Sequence, residues 1–106
     1  MAWITLTAAG LLEIVWAFFM KQSDGFTKPL PAAITVAAAI GSIVLLSLAM
    51  RTLPLGTAYA MWTGIGAVGS FMMGILVLGE SASALRIAAA VLIVSGLVLM
   101  KFATVE

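Results

Sequence analysis

Glu13 stands alone as an acid in the apolar stretch from Met1 to Met20. Leu11, Leu12, Ile14 and Val15 flank it. A carboxylate in the middle of a membrane-spanning helix is costly, at least ~2.5–3.5 kcal/mol on insertion scales, and such groups mark ion or substrate pathways. Residues three and four apart on a helix share a face. Gly10, Glu13, Trp16 and Ala17 therefore align, with space one turn before the acid and an indole one turn after it. A carboxylate beside an aromatic face suits an organic cation, since charge pairing adds to a cation–π attraction of ~0.5–2 kcal/mol. Trp3 has the place of an interfacial anchor, whereas Trp16 is too deep for that role.

Further along, Tyr59 and Trp62 are at i, i+3, each with a ring and a polar tip. Buried Tyr and Trp find hydrogen-bond partners, and the Glu13 carboxylate is a natural acceptor for them. Ser42 falls near the middle of its apolar run. Its hydroxyl has two candidate partners, a carboxylate or its own i−4 carbonyl. Gly64-Ile65-Gly66-Ala67-Val68-Gly69 fits G-x-G-x-x-G. Dinucleotide binding is rejected, because that fingerprint needs a preceding strand, a helix opening at the glycines and an acid about 20 residues on. Gly64, Gly66, Gly69, Ser70 and Gly74 instead form small-residue surfaces that permit close packing in lipid. Gly64 and Gly66 are candidate points of site spacing and helix bending. Ala89 and Gly96, seven apart, make a stripe assigned to dimer packing.

These groups need long apolar elements to hold them. The chain has 106 residues, 64% hydrophobic and 8% charged, against about 25% charged in soluble domains. Four apolar segments are expected as helices, at about 2–20, 32–50, 55–78 and 84–103. Each approaches the ~20 residues that cross ~30 Å of hydrocarbon. Backbone satisfaction in lipid makes the spans helical. The loop Lys21–Pro31, with two prolines, a glycine and three charges, separates the first two. The first segment is expected to be retained, since it shows neither a basic leader nor a cleavage site. The expectation is an all-α membrane protein with one four-helix domain over residues 1–106.

Arg51 and Lys101 would lie on one side of the bilayer, and Lys21, Lys28 and Arg86 on the other. Orientation requires asymmetry of basic residues, and this near balance leaves two readings: a weak preference completed by other signals, or insertion both ways up. On the second reading, two copies would pair head to tail as an antiparallel homodimer. Inverted repeats about a midplane site are a common transporter design. Such pairing also brings two Glu13 carboxylates into one chamber. Arg86 and Lys101 are expected to snorkel to opposite interfaces.

Net charge is +1, with no Cys and no His. Nothing points to nucleic acid, a metal or a cofactor, and no nucleophile or metal set supports an enzyme. Desolvation disfavours a charged carboxylate and a bound cation favours it. Proton and cation thus compete for Glu13, and reorientation only when one is bound would couple their fluxes. A passive assembly subunit or small pore is the competing class, which a mid-span acid argues against.

The chain resembles the small multidrug resistance family along its whole length. The match is carried by Gly10-Leu11-Leu12-Glu13-Ile14-Val15-Trp16-Ala17, by Lys21 with Gly25-Phe26-Thr27, and by Pro54 through Ala67. Within the family, Trp16 and Trp62-Thr63-Gly64-Ile65-Gly66-Ala67 are similar to the guanidinium exporter subtype. Gln22 departs from the pattern, which commonly has an aromatic there. The resemblance implies an antiparallel homodimer in the inner membrane exchanging protons for guanidinium. Glu13 would be the shared carboxylate, with Trp16, Ser42, Tyr59 and Trp62 lining the site. A broader exporter of quaternary ammonium cations is the alternative, favoured by the freely varying apolar residues of the second helix.

Overall fold

Proline and glycine punctuate the four apolar runs, and the computed structural model of the chain breaks at those points. It describes residues 1–103. The elements are α1 (Ala2–Gln22), α2 (Pro29–Ala49), α3 (Leu55–Leu76) and α4 (Ala84–Ala103). Each is long and apolar enough to cross a membrane. At 1.5 Å per residue they run about 30–33 Å.

α2 starts at Pro29, three residues before the sequence-based expectation. Both Pro29 and Pro31 fall among the first four N–H positions, which lack intrahelical partners anyway. Proline is therefore accommodated there and does not break the helix. The preceding turn is built on the buried Ser23. Its Oγ donates to the Met20 carbonyl at 2.7 Å and accepts the Phe26 N–H at 3.0 Å. Asp24, Gly25 and Phe26 all adopt left-handed φ, at 50°, 72° and 66°. Two of these are not glycine, so the Ser23 bonds hold a conformation that side chains disfavour.

α3 is one unbroken helix and stops at Leu76, two residues short of the expected end. Gly79, at φ 71°, reverses the chain, and the Glu80 N–H returns to the Gly74 carbonyl at 2.9 Å. Ser83 opens α4, its Oγ accepting the Arg86 N–H at 3.3 Å.

α1 packs most extensively on α2, then on α3, while α4 rests on α3. The core gathers at one end of the bundle, where Leu6, Ala9, Leu46, Ala49, Leu53 and Ala58 are buried together. No residue of α4 is buried. The Cα framework measures 43 × 34 × 16 Å. With Cα atoms on cylinders of about 2.3 Å radius, that least dimension corresponds to about two layers of helices at the usual 8–10 Å spacing. One chain is a slab, with its apolar faces open to lipid.

Candidate functional site

Two helices meet at Glu13. The carboxyl group lies against the α3 backbone at Gly66, where a Cβ would overlap it. One turn earlier Gly10 lets Ile65 approach, its Cγ2 2.6 Å from a hypothetical Gly10 Cβ. One residue beyond Glu13, Ile14 fills the notch at Gly69. Small-residue notches of this kind let helix backbones close up in lipid. They set the depth and register of the acid on α3.

Glu13 Oε1 and Trp16 Nε1 are buried and make no hydrogen bond among the described residues. A buried polar group without a partner loses about 1–3 kcal/mol. An acceptor and a donor one turn apart, both unsatisfied, call for a partner that the described residues do not supply.

Ser42 takes neither partner its own sequence suggests. Its Oγ donates across the helix pair to the Ala9 carbonyl of α1 at 2.7 Å. It accepts the Trp62 Nε1–H of α3 at 2.9 Å. Three helices are thus tied by one buried hydroxyl. The Ala9 carbonyl is also the i−4 acceptor for the backbone of residue 13, so the tie fixes the turn that carries the acid. The Trp62 indole donates to Ser42 and not to the carboxylate. Its ring centroid is 5.6 Å from that of Tyr59, tilted by 48°. Tyr59 is half exposed and opens on a groove of about 450 Å³ between α3 and α4, lined also by Thr63, Gly96 and Leu97.

The structure therefore brings Glu13, Trp16, Gly10 and Gly66 together on α1 and α3, and joins Ser42 and Trp62 to them through Ala9. Gly64 faces elsewhere. A Cβ there would press on Leu97 of α4, with Cδ1 2.9 Å away. Ala89 and Gly96 are exposed on α4, and space around Gly96 is open. Sequence reasoning missed the Ala9 carbonyl and the Ile14–Gly69 contact. The helical spacing Gly10, Glu13, Ile14 against Ile65, Gly66, Gly69 held the signal for that contact. No spacing rule could have found the Ala9 carbonyl, because its partner is 33 residues away. Among the described residues, no three His, Cys, Asp or Glu gather to hold a metal.

The family description "Small Multidrug Resistance protein" matches residues 1–103. Proteins named guanidinium exporter from Citrobacter freundii and Salmonella typhimurium are each 59% identical to the chain over 104 residues, covering 98% of it and 99% of the relative. The guanidinium exporter of Escherichia coli (strain K12) is 54% identical with the same coverage. An acid notched into a glycine-lined helix pair, four spanning helices and a match of this extent agree: the chain is a multi-pass membrane transport protein of the small multidrug resistance family.

Proposed function

We propose that this chain exports guanidinium across the inner membrane as a proton-coupled antiporter, working by alternating access in an antiparallel homodimer. The observation that carries this reading is the pair of unsatisfied polar atoms on α1, Glu13 Oε1 and Trp16 Nε1. Guanidinium is a planar cation with in-plane donors on all three nitrogens. A carboxylate takes such a fork as it takes an Arg side chain, and indole and phenol rings offer it π faces. The names of the relatives support the same substrate.

A second copy is the natural complement of this flattened bundle. α4 is apolar and uncovered, and Tyr59 is half exposed. The near balance of basic residues between the two loop sets supports inversion of that copy. Two Glu13 groups would then share one chamber. Protons neutralise them and guanidinium requires them ionised, so the chamber holds one cargo or the other. If only loaded chambers reorient, an inward proton gradient drives the cation out. The Ser42 tie keeps α1 in place while the load changes.

The test is transport by reconstituted protein. Vesicles with an imposed pH gradient should move guanidinium against its own gradient, and Glu13→Gln should abolish that movement. Persistent uphill transport by Glu13→Gln overturns the reading. Equal turnover of a tetraalkylammonium would favour the broader exporter. A zero-current voltage blind to the pH gradient would mark a pore.

A further inference from the structure

A cleft of about 320 Å³ opens at the end of the bundle where α1 finishes and α4 begins. Its inner wall includes Ala17 and Ser70, one helical turn beyond Glu13 and Gly66 respectively. Lys21, Glu80 and Arg86 stand at its outer end. The cleft thus leads from the loop side toward the site.

Arg86 occupies its mouth in a particular way. Its Nη2 lies 3.7 Å from Glu80 Oε1. Nη1 donates to the Ser81 carbonyl at 2.7 Å. The guanidinium carbon sits 5.0 Å from the centroid of the Phe71 ring. Carboxylate, carbonyl acceptor and aromatic face are the parts that bind a planar, donor-rich cation. They are also held in place by the fold. The left-handed Gly79 turns Glu80 back over α3, its N–H bonded to Gly74. The Glu80 carboxylate rests where a Gly74 side chain would be.

From this geometry we infer that Glu80, Phe71 and the Ser81 carbonyl form a second guanidinium subsite at the mouth of the cleft, filled in this structure by the chain's own Arg86. Arg86 is a tethered copy of the cation that the pathway would carry. It repels an incoming cation and ties the α3–α4 loop down until free guanidinium displaces it. The tether makes Arg86 a competitor of high effective concentration, in the millimolar range for short flexible links. Free guanidinium therefore engages the subsite only when abundant, or when Arg86 is removed.

The subsite is tested in full-length Glu13→Gln protein, so that the α1 carboxylate contributes nothing. Guanidinium chloride is titrated while the backbone resonances of Glu80 and Ser81 are followed by NMR. Tetramethylammonium chloride at equal ionic strength is the control, since it has charge but no donors. With Arg86→Ala or Arg86→Gln added, guanidinium should shift both resonances saturably, and Glu80→Gln should remove the response. With Arg86 present, the midpoint should rise by about two- to sixfold, the range set by an exposed ion pair, and the Arg86 Nε–H resonance should move in step as it is displaced. The Trp62 indole N–H, bonded to Ser42, reports that each variant keeps its bundle. Three results overturn the subsite: no saturable shift, an equal response to tetramethylammonium, or a response that survives Glu80→Gln. If both Arg86 variants lose the Trp62 signal, displacement of Arg86 in its own background decides alone. Transport plays no part in this titration, so a failed export assay would not explain a negative result.

Discussion

Glu13 rests directly on the backbone of Gly66, with no room for a methyl group between them. The acid therefore depends on a glycine of another helix for its position. Replacing Gly66 with alanine must push the carboxyl group aside or spread α1 from α3. Overpacking of this kind costs typically 1–3 kcal/mol, a factor of about 5–160 in an equilibrium. Gly66→Ala is expected to weaken guanidinium binding by that factor while the protein still inserts as four helices. Calorimetric titration in detergent, with circular dichroism as the folding check, measures both. Unchanged affinity would mean that the carboxylate works from some other position.

Gly64 gives the matching control. It is two residues from Gly66, and 100° per residue puts the two about 200° apart on the helix. A Cβ at Gly64 meets Leu97 on α4. Gly64→Ala should therefore disturb α3–α4 packing and lower thermal stability, with affinity per folded protein changing less than about threefold. Thermal unfolding followed beside ligand titration separates these effects. Affinity loss equal to that of Gly66→Ala would contradict the division of labour.

That division shows what sequence could and could not reveal. Four runs of about 20 apolar residues led to four helices, because lipid leaves the backbone few other choices. Glu13 stood out because a mid-span acid has no ordinary use. Which way each α3 glycine faces was harder. Grouping Gly64 with Gly66 did not use the turn angle between them, which sets Gly66 against Glu13 and Gly64 against Leu97. Ser42 was legible as a polar group at depth, yet its partners were not. They lie 33 and 20 residues away in the chain. The start of α2 was displaced for a local reason, since proline at a helix start resembles proline in a loop. The Arg86 cluster was hidden for a tertiary reason. Its carboxylate reaches it only because Gly79 takes a left-handed turn.

The Ser42 tie yields a stability prediction. Ser42→Ala leaves the Trp62 N–H buried without its acceptor, which carries a penalty of about 1–3 kcal/mol. Trp62→Phe removes donor and partner demand together. Ser42→Ala should then cost less in the Trp62→Phe background than in the parent, since only the Ser42–Ala9 bond remains to be lost there. Unfolding midpoints for the four proteins of this cycle give the coupling directly. Additive losses would show that the hydroxyl and the indole stabilise the bundle independently.

Competition between proton and cation makes the last prediction. Guanidinium needs an ionised carboxylate, and a proton removes that ionisation. Apparent guanidinium affinity should therefore fall as pH is lowered, and the slope should approach tenfold per pH unit where one proton is displaced per cation bound. Two Glu13 groups in one dimer would titrate as a coupled pair, so the data should be fitted to macroscopic constants of the pair rather than to either residue. Binding must also release protons, measurable as the dependence of the calorimetric heat on buffer ionisation enthalpy. Asp24, Glu80 and Glu106 remain in Glu13→Gln, so they serve as internal controls. Any pH dependence that survives that substitution comes from groups other than Glu13, and proton release that persists undiminished would remove Glu13 from the coupling step.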